Sequence, residues 1–119
     1  MNDPSTNEPY VETGEFDVAV VPNAWTLINR IAENRIFPAA KKHNTGVLLA
    51  TPFERGLLAK GAKSDAYFHR RNFSAECLAH VAEIETLCEQ YDIPLHVVAL
   101  HYVLRHPQVS IVIPGGRTP

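Results

Sequence analysis

The stretch Gly46-Val47-Leu48-Leu49-Ala50-Thr51-Pro52-Phe53-Glu54-Arg55-Gly56-Leu57-Leu58 carries the fold argument. Its first six residues form a nearly continuous apolar run, opened by glycine and closed by Pro52, too short for a helix. Such a run predicts a strand buried on both faces, as in a parallel sheet covered by helices. The same shape recurs on either side. Phe16-Asp17-Val18-Ala19-Val20-Val21 follows Gly14 and ends at Pro22, and Val109-Ser110-Ile111-Val112-Ile113 ends at Pro114. Three strands, each closed by proline, form an internal pattern.

Helical periodicity fills the intervals. Leu27 to Lys42 reads as a helix broken or restarted at Pro38, since proline suits a first helical turn. The thirty residues from Pro22 to Pro52 match the length of about 30 residues expected of one βαβ unit. Farther on, Ser74 can cap a helix whose Cys77, Val81, Ile84, Cys88 and Tyr91 recur at steps of three and four. Asp92 and Pro94 start another, apolar nearly all round from Leu95 to Leu104 and stopped by Pro107, which implies packing between layers. The string β, α, β, loop, α, α, β predicts an α/β fold, either a doubly wound sheet or a barrel. Both place ligands at the carboxyl ends of strands, here marked by the prolines. Pro22-Asn23-Ala24-Trp25, Pro52 to Gly56 and Pro114 to Arg117 should therefore converge on one rim. Residues 1–14, polar and aperiodic, read as a frayed leader or the remnant of a helix, and residues 15–119 as the folded part.

Composition narrows the function classes. With 119 residues, 45% hydrophobic, 20% charged and a net charge of -2, the chain is an ordinary globular domain. No apolar run approaches the roughly 18 residues of a membrane helix, and the polar start is no secretory signal. Cys77 and Cys88 lie about 16 Å apart along one helix, beyond disulfide reach, so a reduced, cytoplasmic chain is expected. Eleven basic against thirteen acidic residues leave no cationic surplus for nucleic acid. The two helices from Ala75 to Arg105 could be a helix-turn-helix, but the second offers mainly Val, Leu and Ala and reads as a core helix. Six histidines occur without metal-ligand spacing, so no metal site is expected. There is no Gly-x-Ser-x-Gly elbow, no Gly-Lys-Ser phosphate loop and no Gly-x-Gly-x-x-Gly.

The wording at the three strand ends is more specific. Trp25-Thr26-Leu27, then Thr51-Pro52-Phe53-Glu54-Arg55-Gly56-Leu57-Leu58, then Val112-Ile113-Pro114-Gly115-Gly116-Arg117 resembles the aldo-keto reductases, in order and in approximate spacing from Gly14 to the C-terminus. The resemblance is to the last three strands of an eight-stranded (β/α) TIM barrel, and within the family to sugar (aldose or fucose-type) dehydrogenases. It implies an NAD(P)-dependent oxidoreductase interconverting aldehydes or ketones with alcohols. Pro52, Phe53, Arg55, Gly56 and Leu57 match the loop that receives the cofactor pyrophosphate; Gly115, Gly116 and Arg117 match the start of the turn that grips the adenosine-side phosphate. Asn23 and Trp25 would line the substrate pocket. Phe53 stands where leucine is common, Ala50 where an aromatic often stacks on the nicotinamide, and Pro22 where many members carry glutamine. The family's catalytic Asp, Tyr, Lys and His come from earlier strands, and a barrel takes about 250 residues. The expectation is thus a partial barrel that holds part of the site for NADP or NAD and is inactive alone. A non-catalytic half barrel that associates through its open sheet edges is the alternative.

Plainer readings stand beside these. Arg55 could be a solvated loop arginine paired with Glu54, and Trp25 a core residue packed on helices. The segment from Ala59 to Phe73, with its basic and aromatic cluster Tyr67-Phe68-His69-Arg70-Arg71, reads as a cofactor or substrate lid or as a surface loop.

Overall fold

The computed structural model describes residues 4–62 and 72–116. In chain order the elements are α1 (Pro4–Glu12), β1 (Val18–Pro22), α2 (Ile31–His43), β2 (Gly46–Ala50), a 3-10 turn (Glu54–Gly56) leading into α3 (Leu57–Lys60), α4 (Ala75–Gln90), α5 (Leu95–Leu104) and β3 (Val109–Ile113). The three strands pair in parallel in the order β1-β2-β3, with Pro22 beside Ala50 and Ala50 beside Ile113. A register shift between Val47 and Leu48 adjusts the pairing with β3.

Local chemistry sets the boundaries. α2 begins at Ile31 rather than Leu27, because Thr26 and Asn29 exchange backbone hydrogen bonds in a closed turn, Thr26 N–H to Asn29 O at 2.7 Å and the return at 3.3 Å. The Asn29 side-chain oxygen then accepts from the Ile31 N–H at 3.2 Å. Pro38, expected to restart the helix, sits inside a continuous α2. At the far end Asn44 adopts a left-handed conformation with φ 56°, and Thr45 N–H reaches back to Ala40 O at 2.8 Å. That terminator leaves only Asn44 and Thr45 between helix and strand. α4 is capped as expected, by the Ser74 hydroxyl accepting from Cys77 N–H at 3.1 Å.

Within residues 1–14, Pro4–Glu12 is helical. α1 lies against α2, with Val11 in the core and an ion pair from Arg35 to Glu8 at 2.6 Å. Asn7 also donates to the Val20 carbonyl of β1 at 3.4 Å.

The core lies on one side of the sheet. Val21, Val47 and Leu49 point into a cluster with Val11, Ala32, Ile36, Phe37, Ala40 and Val103, while Leu57, Leu58, Val81 and Ala99 form a second cluster. α5 joins them, Val103 in the first and Ala99 in the second. Leu104 and Tyr91, expected in buried stripes, are exposed: Leu104 lies on the solvent side of α5, and Tyr91 sits past the last turn of α4 as its C-cap. The strands also differ from expectation. On the face away from the helices Val18, Val20, Ile111 and Ile113 are exposed, Val20 at 53% and Ile111 at 54%. Val20, Leu48 and Ile111 stand side by side in register, an apolar row with no cover among the described residues. An apolar run thus correctly marked parallel strands, while only one of their faces is buried here.

His106 closes the first cluster. Its ring lies 4.2 Å from the Phe37 ring centroid and 4.9 Å from that of Trp25, and Nδ1 accepts from Gln108 N–H at 3.2 Å. Burial holds its pKa below the ordinary 6.5, against a weaker opposing pull from the Glu33 charge. The folded state therefore favours neutral imidazole. Its contribution is fully present above pH 6.5 and is lost as pH falls from there through the lowered folded-state value. Thermal unfolding followed from pH 8 to 5 should show a falling midpoint below about 6.5, a fall that His106→Leu reduces.

Candidate functional site

The rim at the carboxyl end of the sheet is assembled from three loops, because Pro22, Ala50 and Ile113 share one row. The β1 and β2 loops are bonded to each other. Thr51 follows β2 at φ 60°, a conformation that a β-branched residue rarely adopts, and Asn23 follows β1 at φ 53°. The Thr51 hydroxyl oxygen accepts from Asn23 N–H at 2.8 Å. Its single proton has two acceptors in reach, Asn23 Oδ1 at 2.8 Å and Ala50 O at 2.6 Å. Asn29 Nδ2 donates to Asn23 O at 2.7 Å and completes the brace.

A second tie lies deeper. The Thr26 hydroxyl, fully buried, donates to Glu54 Oε1 at 2.9 Å, and Glu54 is only 1% exposed. Glu54, Arg55 and Gly56 take positive φ in succession, 45°, 57° and 102°. Two non-glycine residues in that region cost about 1–3 kcal/mol each. Inside the turn Glu54 N–H donates to Thr51 O at 3.2 Å and Gly56 N–H to Phe53 O at 2.9 Å.

The expected site residues fall into two groups. Pro52 and Leu57 are fully buried, and Phe53 packs against the second cluster, so these three anchor the loop rather than line it. Arg55 and Gly56 occupy its tip. Among the described residues, Arg55 Nε is buried without a hydrogen-bond partner, and no atom lies within 4 Å of where a Gly56 Cβ would stand. Gly115 likewise faces open space, and Gly116 is exposed beside it. Arg117 and the Tyr67 to Arg71 cluster lie outside the described residues.

Asn23 and Trp25, expected to line the substrate pocket, are both buried. Trp25 is 4% exposed and turned to the helix side of the sheet, stacked on Tyr102 at 5.2 Å and edge-on to Phe37 at 5.4 Å. The apolar cluster under the sheet claims the indole, as the plainer reading had it. Asn23 is buried too, its amide oxygen facing the Thr51 hydroxyl. Thr26, Asn29, Thr51 and the inward role of Glu54 were not read from the sequence; the one available signal was a carboxylate set between Phe53 and Arg55 in an otherwise apolar segment.

An orphaned guanidinium nitrogen, an open glycine at positive φ and a second open glycine loop on the neighbouring strand suit an anion with several oxygens. Gly56→Ala meets no steric obstacle but must hold φ near 102°, so it should lower stability by about 1 kcal/mol, read as a lower urea midpoint at constant slope.

The model of the Aldo/keto reductase family matches residues 5–119. Pyridoxal 4-dehydrogenase of Microbacterium luteolum is 27% identical over 109 residues, covering 92% of this chain and 32% of that protein. D-threo-aldose 1-dehydrogenase of a Pseudomonas species is 28% identical over 110 residues, covering 92% and 33%. Among solved structures, the glycerol dehydrogenase of Gluconobacter oxydans superposes with a TM-score of 0.65 at 27% identity, over 82% of this chain and 33% of that one. The chain thus spans about a third of the length of each of these relatives. Its three parallel strands and helices form part of a (β/α) barrel, and the chain belongs to the aldo/keto reductase family.

Proposed function

We propose that this chain carries the cofactor-phosphate side of a nicotinamide-dependent carbonyl reductase or alcohol dehydrogenase. One observation carries the reading: Arg55 Nε is buried and unpartnered beside Gly56, whose open face lies on the same rim as the open Gly115 loop. Arg55 and the backbone around Gly56 would hold the pyrophosphate, and Gly115, Gly116 and Arg117 the phosphate on the adenosine side. When bound, the nicotinamide would supply hydride to a carbonyl in its reduced form or accept hydride from an alcohol in its oxidised form. The relatives are named for pyridoxal, an aldose and glycerol, which favours a small hydroxylated carbonyl as substrate. Two free cysteines are in keeping with a reduced, cytoplasmic setting, and no helix among the described residues is long and apolar enough to cross a membrane.

No proton donor is assigned within the described residues. Tyr10 lies in α1, Tyr91 caps α4 and Tyr102 is stacked on Trp25, none of them at the rim. The reading is therefore of cofactor binding without turnover by this chain alone. The apolar row Val20, Leu48 and Ile111 supports a further element, association of the chain through its uncovered sheet.

Titration of the purified chain with NADPH and with NADH, followed by nicotinamide fluorescence, should give saturable binding that Arg55→Ala weakens about tenfold, the loss expected for a charge-assisted bond to phosphate. No saturation at millimolar concentrations of either cofactor would overturn the reading, and reduction of an aldehyde by the chain alone would refute the absence of a proton donor. In sedimentation velocity the chain should run above its 13.2 kDa monomer mass, and Ile111→Lys should return it toward that mass.

A further inference from the structure

Glu54 is the least expected side chain in the molecule: a carboxylate buried to 1% exposure, in a backbone region that residues with a Cβ avoid, at the centre of the loop that presents Arg55. A group of that kind is costly to bury unless the fold supplies a donor. The fold does so from another strand's loop. The Thr26 hydroxyl donates to Glu54 Oε1 at 2.9 Å, and the hydroxyl oxygen of Thr26 accepts from Asn29 N–H at 3.1 Å, so the Thr26 proton is directed toward the carboxylate. Thr26 itself is fixed by its backbone exchange with Asn29. The turn after β2 is consequently held from the turn after β1.

We propose that Thr26 and Glu54 are positioning residues: their hydrogen bond pins the left-handed turn at residues 54–56, and thereby keeps Arg55 and the open Gly56 backbone set for a dinucleotide phosphate. This rests on the cofactor reading above and extends it to two residues that are buried away from the rim. Strained backbone persists where its surroundings over-determine it, and here those surroundings include this bond, Glu54 N–H to Thr51 O, Gly56 N–H to Phe53 O and Leu58 N–H to Phe53 O. Were the bond absent, the turn could relax toward right-handed conformations and would carry Arg55 with it.

Four variants separate positioning from general stability. Thr26→Val keeps the shape and removes the donor; Glu54→Ala removes the acceptor; Thr26→Ser and Glu54→Gln retain a hydroxyl donor and a carbonyl acceptor. Amide hydrogen exchange of the full chain should be about tenfold faster at Gly56 and Leu58 in Thr26→Val and Glu54→Ala, with the β2 amides at parental protection and with Thr26→Ser and Glu54→Gln near the parent. NADPH titration should show an affinity about tenfold lower in the same two variants, and the double variant should bind no worse than Glu54→Ala, since Glu54→Ala already removes the Thr26 bond.

Parental exchange at Gly56 and Leu58 in Thr26→Val overturns the proposal, whatever the cofactor does. Faster exchange with unchanged NADPH affinity also overturns it, because the turn would then be dispensable for binding. If the parent itself binds neither NADPH nor NADH while exchange still rises, the cofactor reading fails and takes the phosphate role with it, while the hydrogen bond stands as the restraint on the turn.

Discussion

Parallel pairing of three five-residue strands is the constraint on which everything else depends. Parallel neighbours require a crossover, and the crossovers here place α2 after β1 and the α3 to α5 segment after β2 on the same side of the sheet. Because the strands run the same way, their ends meet at one edge, with Pro22, Ala50 and Ile113 in one row. The loops that follow are then close enough for side chains 28 residues apart in sequence to bond, as Asn23 does with Thr51 and Thr26 with Glu54. Rim geometry follows from strand direction before any site residue is considered.

That arrangement divides the sheet into two unequal faces. Val21, Val47 and Leu49 are fully buried beneath α1, α2 and α5, while Val20, Leu48 and Ile111 occupy the alternate positions on the other side. Strand residues alternate, so the apolar character of both sets records two covered faces in the fold to which the sequence is adapted. The chain spans about a third of the length of its relatives, and the face away from the helices is the one a closed barrel would turn inward.

Strands, crossover and rim were legible because they rest on patterns that composition and punctuation carry directly: a short apolar run, a glycine before it and a proline after it. β3 matches its reading from Val109 to Ile113, and Ser74 caps α4 as its position implied. The beginning of α2 was not legible, since nothing in Leu27 or Ile28 announces that Thr26 and Asn29 will close a turn on each other. Trp25 shows a different limit. Its place just after a strand suits both a rim and a core, and only the aromatic neighbours Phe37, Tyr102 and His106, 12 to 81 positions away, decide for the core. The positive φ angles at Thr51, Glu54 and Arg55 lie beyond sequence reading altogether, because those residue types disfavour them.

Glu54 and Arg55 face different surroundings despite being adjacent. Adjacent opposite charges in a loop ordinarily neutralise each other at the surface, at a gain of about 1 kcal/mol or less. Here the succession of left-handed residues separates their surroundings: the carboxylate turns inward, where the Thr26 hydroxyl meets it, and the next residue occupies the tip with its Nε unpartnered. On the proposed cofactor reading, a cation kept apart from its neighbour's carboxylate is left for the phosphate, and a guanidinium already desolvated at Nε gains more from a phosphate oxygen than one immersed in water. The left-handed turn and the inward bond of Glu54 are thus two parts of one arrangement, which on the proposed cofactor reading sets Arg55 toward an external phosphate.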